Sequence, residues 1–185
     1  GYNQYAPMAG LLSLRERIAE KQEKLHHVIY NPDTEITITA GGTQALFASI
    51  ACVIRPDDEV IIFEPAYDAY GPTVTLFGGR IRSVELSAPN YSIDWVEVEK
   101  LINDKTRMII LNYPNNPTGR TLDEHDIKCL INLTRDTNIL LLSDEVYEHL
   151  IYDGKQHLSL SRYPELMERS FITASFGKLL HATGW

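Results

Sequence analysis

Residues 108–144, MIILNYPNNPTGRTLDEHDIKCLINLTRDTNILLLSD, decide the fold. Two short, unbroken apolar runs, Met108–Asn112 and Ile139–Ser143, bracket a stretch that reads as a helix. Runs without polar alternation are what central parallel strands look like when both of their faces are buried. The start of the intervening helix is legible: Thr121-Leu122-Asp123-Glu124 fits a capping box and places carboxylates in the first turn, where the helix dipole favours them.

The same alternation of strand and helix continues on both sides. Upstream, Leu11, Leu14, Ile18 and Leu25 recur at helical spacing over residues 11–25 and predict an amphipathic helix. Glu35–Ala40 reads as a strand, followed by Gly41-Gly42-Thr43 and the nearly all-apolar run Ala45–Ile54, whose lack of a polar face predicts a buried helix. Arg55-Pro56-Asp57 ends it. Val60–Glu64 and Ile81–Leu86 read as strands around a helix over Tyr67–Phe77 that stops at Gly78-Gly79. Trp95, Val98 and Leu101 mark a further helix, and Ser170–Phe176 a last strand with Lys178 at its end. The expected fold is α/β: a three-layer sandwich with a mainly parallel central sheet.

With 185 residues, 44% hydrophobic and 23% charged, the chain sits within the ordinary composition of one well-buried domain. No repeat or low-complexity linker divides residues 1–185. The net charge of −8 speaks against a nucleic-acid or anionic-membrane partner, which would need a basic stripe. No apolar run approaches the ~20 residues that cross a bilayer. Cys52 and Cys129 form no CxxC pair and are expected to be small buried hydrophobes, so cytoplasmic localisation rests on their reduced character. His26-His27 reads as a solvated helix end, Asp123-Glu124-His125-Asp126 as a first helical turn, and His149, His157 and His181 show no ligand spacing, so no metal is expected. Trp185 follows without a cap or closing helix, so the domain is expected to be incomplete within a longer protein.

Four places carry chemistry. The Gly41-Gly42-Thr43 junction frees backbone amides at a helix N-terminus, where a phosphate could sit, although alone it reads more readily as an ordinary tight βα turn. Asn112-Tyr113-Pro114-Asn115-Asn116-Pro117-Thr118-Gly119 follows a buried strand, where open α/β sheets place ligands. Asp144 emerges from an apolar run, so its carboxylate should be partly buried and in need of a partner; an Asp capping a helix or held in a structural ion pair is the plain alternative. A lone lysine such as Lys178 is usually a solvated charge, yet a partly desolvated one becomes an amine nucleophile able to form Schiff bases.

Taken in order and spacing, these motifs resemble the signature series of class I/II aminotransferases of the aspartate aminotransferase type. The series is Asn115-Asn116-Pro117-Thr118-Gly119, Asp144-Glu145-Val146-Tyr147, and Ser175-Phe176-Gly177-Lys178 with Gly184 six residues on. Tyr2-Asn3-Gln4-Tyr5-Ala6-Pro7, Gly42-Thr43 and Glu64-Pro65-Ala66-Tyr67 extend the match over essentially the whole chain. Within the class it is most similar to the methionine, kynurenine and glutamine aminotransferase group. The resemblance implies the large domain of a fold type I enzyme that uses pyridoxal 5'-phosphate.

By that resemblance Lys178 would hold the cofactor as an imine and shuttle the substrate's α-proton. Asp144 would pair with the pyridine nitrogen, Asn116 and Tyr147 would bond the phenolic oxygen, and Tyr67 would stack on the ring. Gly42, Thr43, Gln44 and Ser175 would belong to the phosphate site, and Tyr5 would reach the phosphate of a neighbouring subunit in a homodimer with shared active sites. One departure is Gly177, which stands where a serine is common and removes one hydroxyl. The implied reaction moves an amino group from an amino acid to a 2-oxo acid, and the 185-residue chain alone is expected to bind cofactor weakly and not turn over. A carbon–sulfur β-lyase on the same fold shares these motifs, and an effector-binding domain of a transcription regulator is a further alternative.

Overall fold

The computed structural model describes residues 4–183, so that Tyr2, Asn3, Gly184 and Trp185 of the sequence motifs lie outside the described residues. Its elements run α1 (Leu12–His26), α2 (Gly42–Val53), β1 (Glu59–Glu64), α3 (Tyr70–Leu76), β2 (Arg80–Glu85), α4 (Trp95–Leu101), β3 (Thr106–Asn112), α5 (Glu124–Thr134), β4 (Leu140–Asp144), a 3₁₀ turn (Leu160–Arg162), α6 (Pro164–Met167), β5 (Ser170–Thr173) and α7 (Phe176–Leu179). The five strands pair in parallel in the order β2-β1-β3-β4-β5. Strand order reverses between β1 and β3, which opens a crevice at the carboxyl edge there.

Both faces of the sheet are covered, as the unbroken apolar runs require. Along β1, Val60 and Ile62 turn toward α2 and α3, while Ile61 and Phe63 turn toward α4 and α5. In β3 the same alternation sends Met108 and Ile110 one way and Ile109 and Leu111 the other. Strand period two therefore sorts these side chains into two cores. Continued along β4, it puts Leu142 with α2 and Leu141 with α5.

Several boundaries differ from the sequence reading. Glu35–Ala40 is not a strand: Glu35 closes a turn onto Asn31, and Ile38 makes a single backbone bond to Ala9, too little for a ladder. The first α3 residue is Tyr70 rather than Tyr67, because Pro72 has no N–H and fits a helix only within its first turn. The capping box at α5 is Asp123 with Asp126, two residues after the expected one. Asp126 is drawn there by Trp95 Nε1 at 2.9 Å and Arg120 Nη2 at 2.8 Å. Helix α2 buries only the stripe Leu46, Ile50 and Val53, leaving Phe47 and Cys52 exposed, since it covers the sheet from one side. Cys129 is partly buried and packs against the α4–α5 core, so Cys52 is the cysteine that departs from the expected burial. β5 ends at Thr173, where its partner β4 ends at Asp144, and Lys178 consequently lies in the short helix α7.

Candidate active site

The carboxyl edge of the sheet gathers most of the chemistry-bearing residues. Parallel pairing sets Asn112 of β3 opposite Asp144 of β4, and the Asn112 amide donates to the Asp144 carbonyl at 3.1 Å. Asn112 Oδ1 in turn accepts from the Asn116 backbone N–H at 3.2 Å. Asn115 takes the staple role in the loop, accepting from the Thr118 hydroxyl at 2.7 Å, while Asn116 is left exposed. Its amide donates to the Tyr147 hydroxyl at 3.2 Å. The Lys178 ammonium lies 5.6 Å from the centre of the Tyr147 ring, which joins β3, β4 and α7 through one aromatic residue. Lys178 is exposed, in contrast to the partly desolvated lysine considered from sequence.

A second set runs through α2 and α3. The Thr43 and Tyr67 hydroxyls are 3.3 Å apart, and the Tyr67 and Tyr70 rings meet edge to face with centroids 5.7 Å apart. The Tyr70 hydroxyl donates to Asp144 Oδ2 at 2.6 Å. Gly41 has φ 91° and ψ 167°, a backbone shape that a side chain resists, and it turns the chain into α2 without any side-chain cap. The first residue of that helix, Gly42, packs close to Ser175 and Val146: a Cβ there would lie 3.6 Å from each. The side chain of Gln44 folds back to accept from the Ala40 N–H at 2.5 Å. Tyr5 is fully exposed and stands apart from the other site residues.

Adjacent carboxylates on β4 and its exit have opposite surroundings. Asp144 faces Tyr70, is 3% exposed, and is pushed above the usual carboxylate range by burial, against the pull of the bond from Tyr70. Glu145 faces the other core, where its oxygens accept from Ser143 Oγ at 2.8 Å and the Leu160 N–H at 3.1 Å and lie 2.7 Å from His157 Nε2. One turn on, Glu148 is buried against Lys21 and lies 3.6 Å from His26 Nε2, tying α1 to the domain. Sequence reasoning missed Tyr70 and this second carboxylate system, and it placed Asn112 in the loop motif without seeing its bond to the Asp144 carbonyl. The repeat Tyr67-x-x-Tyr70, with the second tyrosine opening a helix after the strand, was the available signal for the first.

The residues at this edge follow one order along the chain, and a family model for aminotransferase class I and II matches residues 1–185. The chain belongs to the class I and II aminotransferase family. Methionine aminotransferase of Escherichia coli (strain K12) is 43% identical over all of this chain and 48% of its own length. Human kynurenine–oxoglutarate transaminase 3 is 36% identical over 99% of this chain and 42% of its own length. Two crystal structures superpose over the whole chain: an E. coli protein for which a methionine aminotransferase function is described, at TM-score 0.97, and N-succinyldiaminopimelate aminotransferase of Mycobacterium tuberculosis, at 0.95 and 34% identity. This class I and II chain spans about half the length of such relatives, 48% for the E. coli enzyme. No helix among the described residues is long and apolar enough to cross a membrane.

Proposed function

We propose that the chain is the cofactor-binding large domain of a pyridoxal-phosphate-dependent aminotransferase that moves an amino group from an amino acid to a 2-oxo acid. The observation that carries the reading is the convergence of Lys178, the Asn116–Tyr147 pair and the buried Asp144 on one sheet edge, beside the α2 N-terminus. A phosphate-bearing cofactor fits the residues present. Small residues, Gly42 and Gly177, border the α2 N-terminus and the hydroxyl of Ser175, and a Cβ at Gly177 would meet Ser175 Oγ at 3.4 Å and Thr183 Oγ1 at 3.5 Å. That leaves room for an anion where amides and hydroxyls can bond it.

In this reading Gly42, Thr43, Gln44 and Ser175 hold the phosphate, Gln44 through its backbone, and Tyr67 covers one face of the ring. Asn116 and Tyr147, already bonded to each other, hold the phenolic oxygen. Asp144 holds a proton on the pyridine nitrogen. The bound cofactor supplies an electron sink for the bond broken at the amino acid's α-carbon. Lys178 Nζ is the nucleophile and the base that carries the α-proton, and exposure at the edge leaves it free to move between those tasks.

Tyr5, fully exposed, and its exposed neighbours Met8 and Leu11 support a homodimer in which Tyr5 reaches the other subunit's phosphate. Cytoplasmic residence belongs to the same reading and rests on two free cysteines. The test is pyridoxal phosphate titration of the full-length protein, borohydride reduction, peptide mapping, and an amino-acid plus 2-oxo-acid assay. Label on Lys178 with turnover supports the proposal. Label elsewhere, or no amino transfer across a panel of amino acids, overturns it.

A further inference from the structure

We propose that Tyr70 is a positioning residue for Asp144, its phenol fixing which carboxylate oxygen is left to face the cofactor. The inference deepens the aminotransferase reading and rests on it. The geometry is specific. Tyr70 and Asp144 come from α3 and β4, 74 residues apart in sequence, and each is 3% exposed. Within this buried pair the 2.6 Å bond from the phenol to Oδ2 is the short one, while Oδ1 has a long 3.4 Å bond from the Val146 N–H and the Thr173 hydroxyl of β5 adds a weaker pull on the carboxylate. Among the described residues Asp144 makes no ion pair, so a neutral phenol, not a cation, sits against its charge.

A phenol has one O–H to give. Spending it on Oδ2 orients the carboxylate and leaves Oδ1 with its lone pairs for an N–H donor in the crevice. Burial, then the adjacent Asp144 charge, drive the Tyr70 hydroxyl above the usual phenol range, so it is a donor at neutral pH. The bond works in the opposite direction on Asp144, favouring the charged form that burial disfavours. Other groups face the pair as well. Glu145 pushes Asp144 upward from the next residue, and the Tyr67 and Tyr147 phenols lie close to Tyr70; β3 and β5 present the uncharged Asn112 and Thr173. None of these takes the place of the bond to Oδ2.

A residue that merely filled the core would be replaced by phenylalanine without consequence for Asp144. The experiment compares Tyr70→Phe with the wild type in the full-length protein, following the Asp144 carboxyl by ¹³C NMR across a pH titration of the cofactor-free form, with Asp144→Asn to assign the signal. Loss of one hydrogen bond to a charged group is expected to raise the Asp144 midpoint by about one to two pH units. With pyridoxal phosphate bound, kcat should fall at least tenfold while KM changes by a few-fold.

Replacing Tyr70 with 3-fluorotyrosine, which keeps the shape and makes the phenol a stronger donor, should move the midpoint down. This second variant keeps the test open should Tyr70→Phe misfold. An unmoved midpoint in a protein that binds the cofactor overturns the Tyr70 assignment alone. A wild type that takes up no pyridoxal phosphate overturns the aminotransferase reading and, with it, the role of Tyr70.

Discussion

Replacing Glu148 by glutamine keeps the shape of the side chain and removes its charge. In the folded protein burial alone would raise this carboxyl, but His26 and Lys21 outweigh it and hold the group down to about 2, against 4.5 for a free glutamate. A carboxyl so depressed stabilises the fold above its unfolded value and loses that contribution as pH falls from 4.5 toward 2. At about 1.36 kcal/mol per unit, the depression corresponds to about 3 kcal/mol at pH 7. Removing one member of a buried ion pair costs a similar amount, and Lys21, with 27% of its side chain exposed, can recover some water. Glu148→Gln should therefore lower stability by about 2–3 kcal/mol at pH 7, and the gap should close steadily below pH 4.5. Urea unfolding of both proteins at pH 7, 5, 4 and 3 measures it. A gap below about 0.5 kcal/mol at pH 7, within the range of ordinary surface changes, would refute the reasoning, as would one constant across the series.

Lys178→Ala should abolish borohydride-fixable cofactor while shifting the melting temperature little, because the side chain is exposed; label retained in the variant would contradict the nucleophile assignment. In the full-length protein Asp144→Ala should cut the rate of α-proton removal by orders of magnitude and weaken substrate binding less, as read by single-turnover kinetics. Asp126→Ala strands the buried Trp95 N–H, Arg120 and the α5 cap at once, so a loss of about 3 kcal/mol is expected in urea unfolding.

The central strands were legible because burial on both faces leaves no room for polar residues, so Met108–Leu111 and Leu140–Leu142 stand out without any partner in view. Lys178, Asp144 and Asn116 were legible as motifs, and strand ends carry such residues to one edge. The N-terminal extended segment was misread because alternation in Glu35–Ala40 satisfies strand chemistry, whereas a ladder also needs a partner that local sequence does not reveal. Tyr70 was hidden for a different reason. Its importance lies in a bond across 74 residues, and a tyrosine opening a helix looks locally like any core aromatic. Cys52 was misplaced by treating an apolar helix as enclosed, when one stripe of α2 meets the sheet and the other does not.

Asp144 and Glu145 are chemically near twins that work on opposite sides of one sheet, and only the parity of their positions, at the last residue of β4 and the one after it, tells them apart. Losing a single codon between Leu140 and Ser143 would bring a glutamate to Tyr70 in place of the aspartate and send the neighbouring valine toward His157. A frame-preserving deletion that looks mild on paper would thus undo two buried arrangements together, whereas one at the exposed Asp153–Lys155 turn would touch neither.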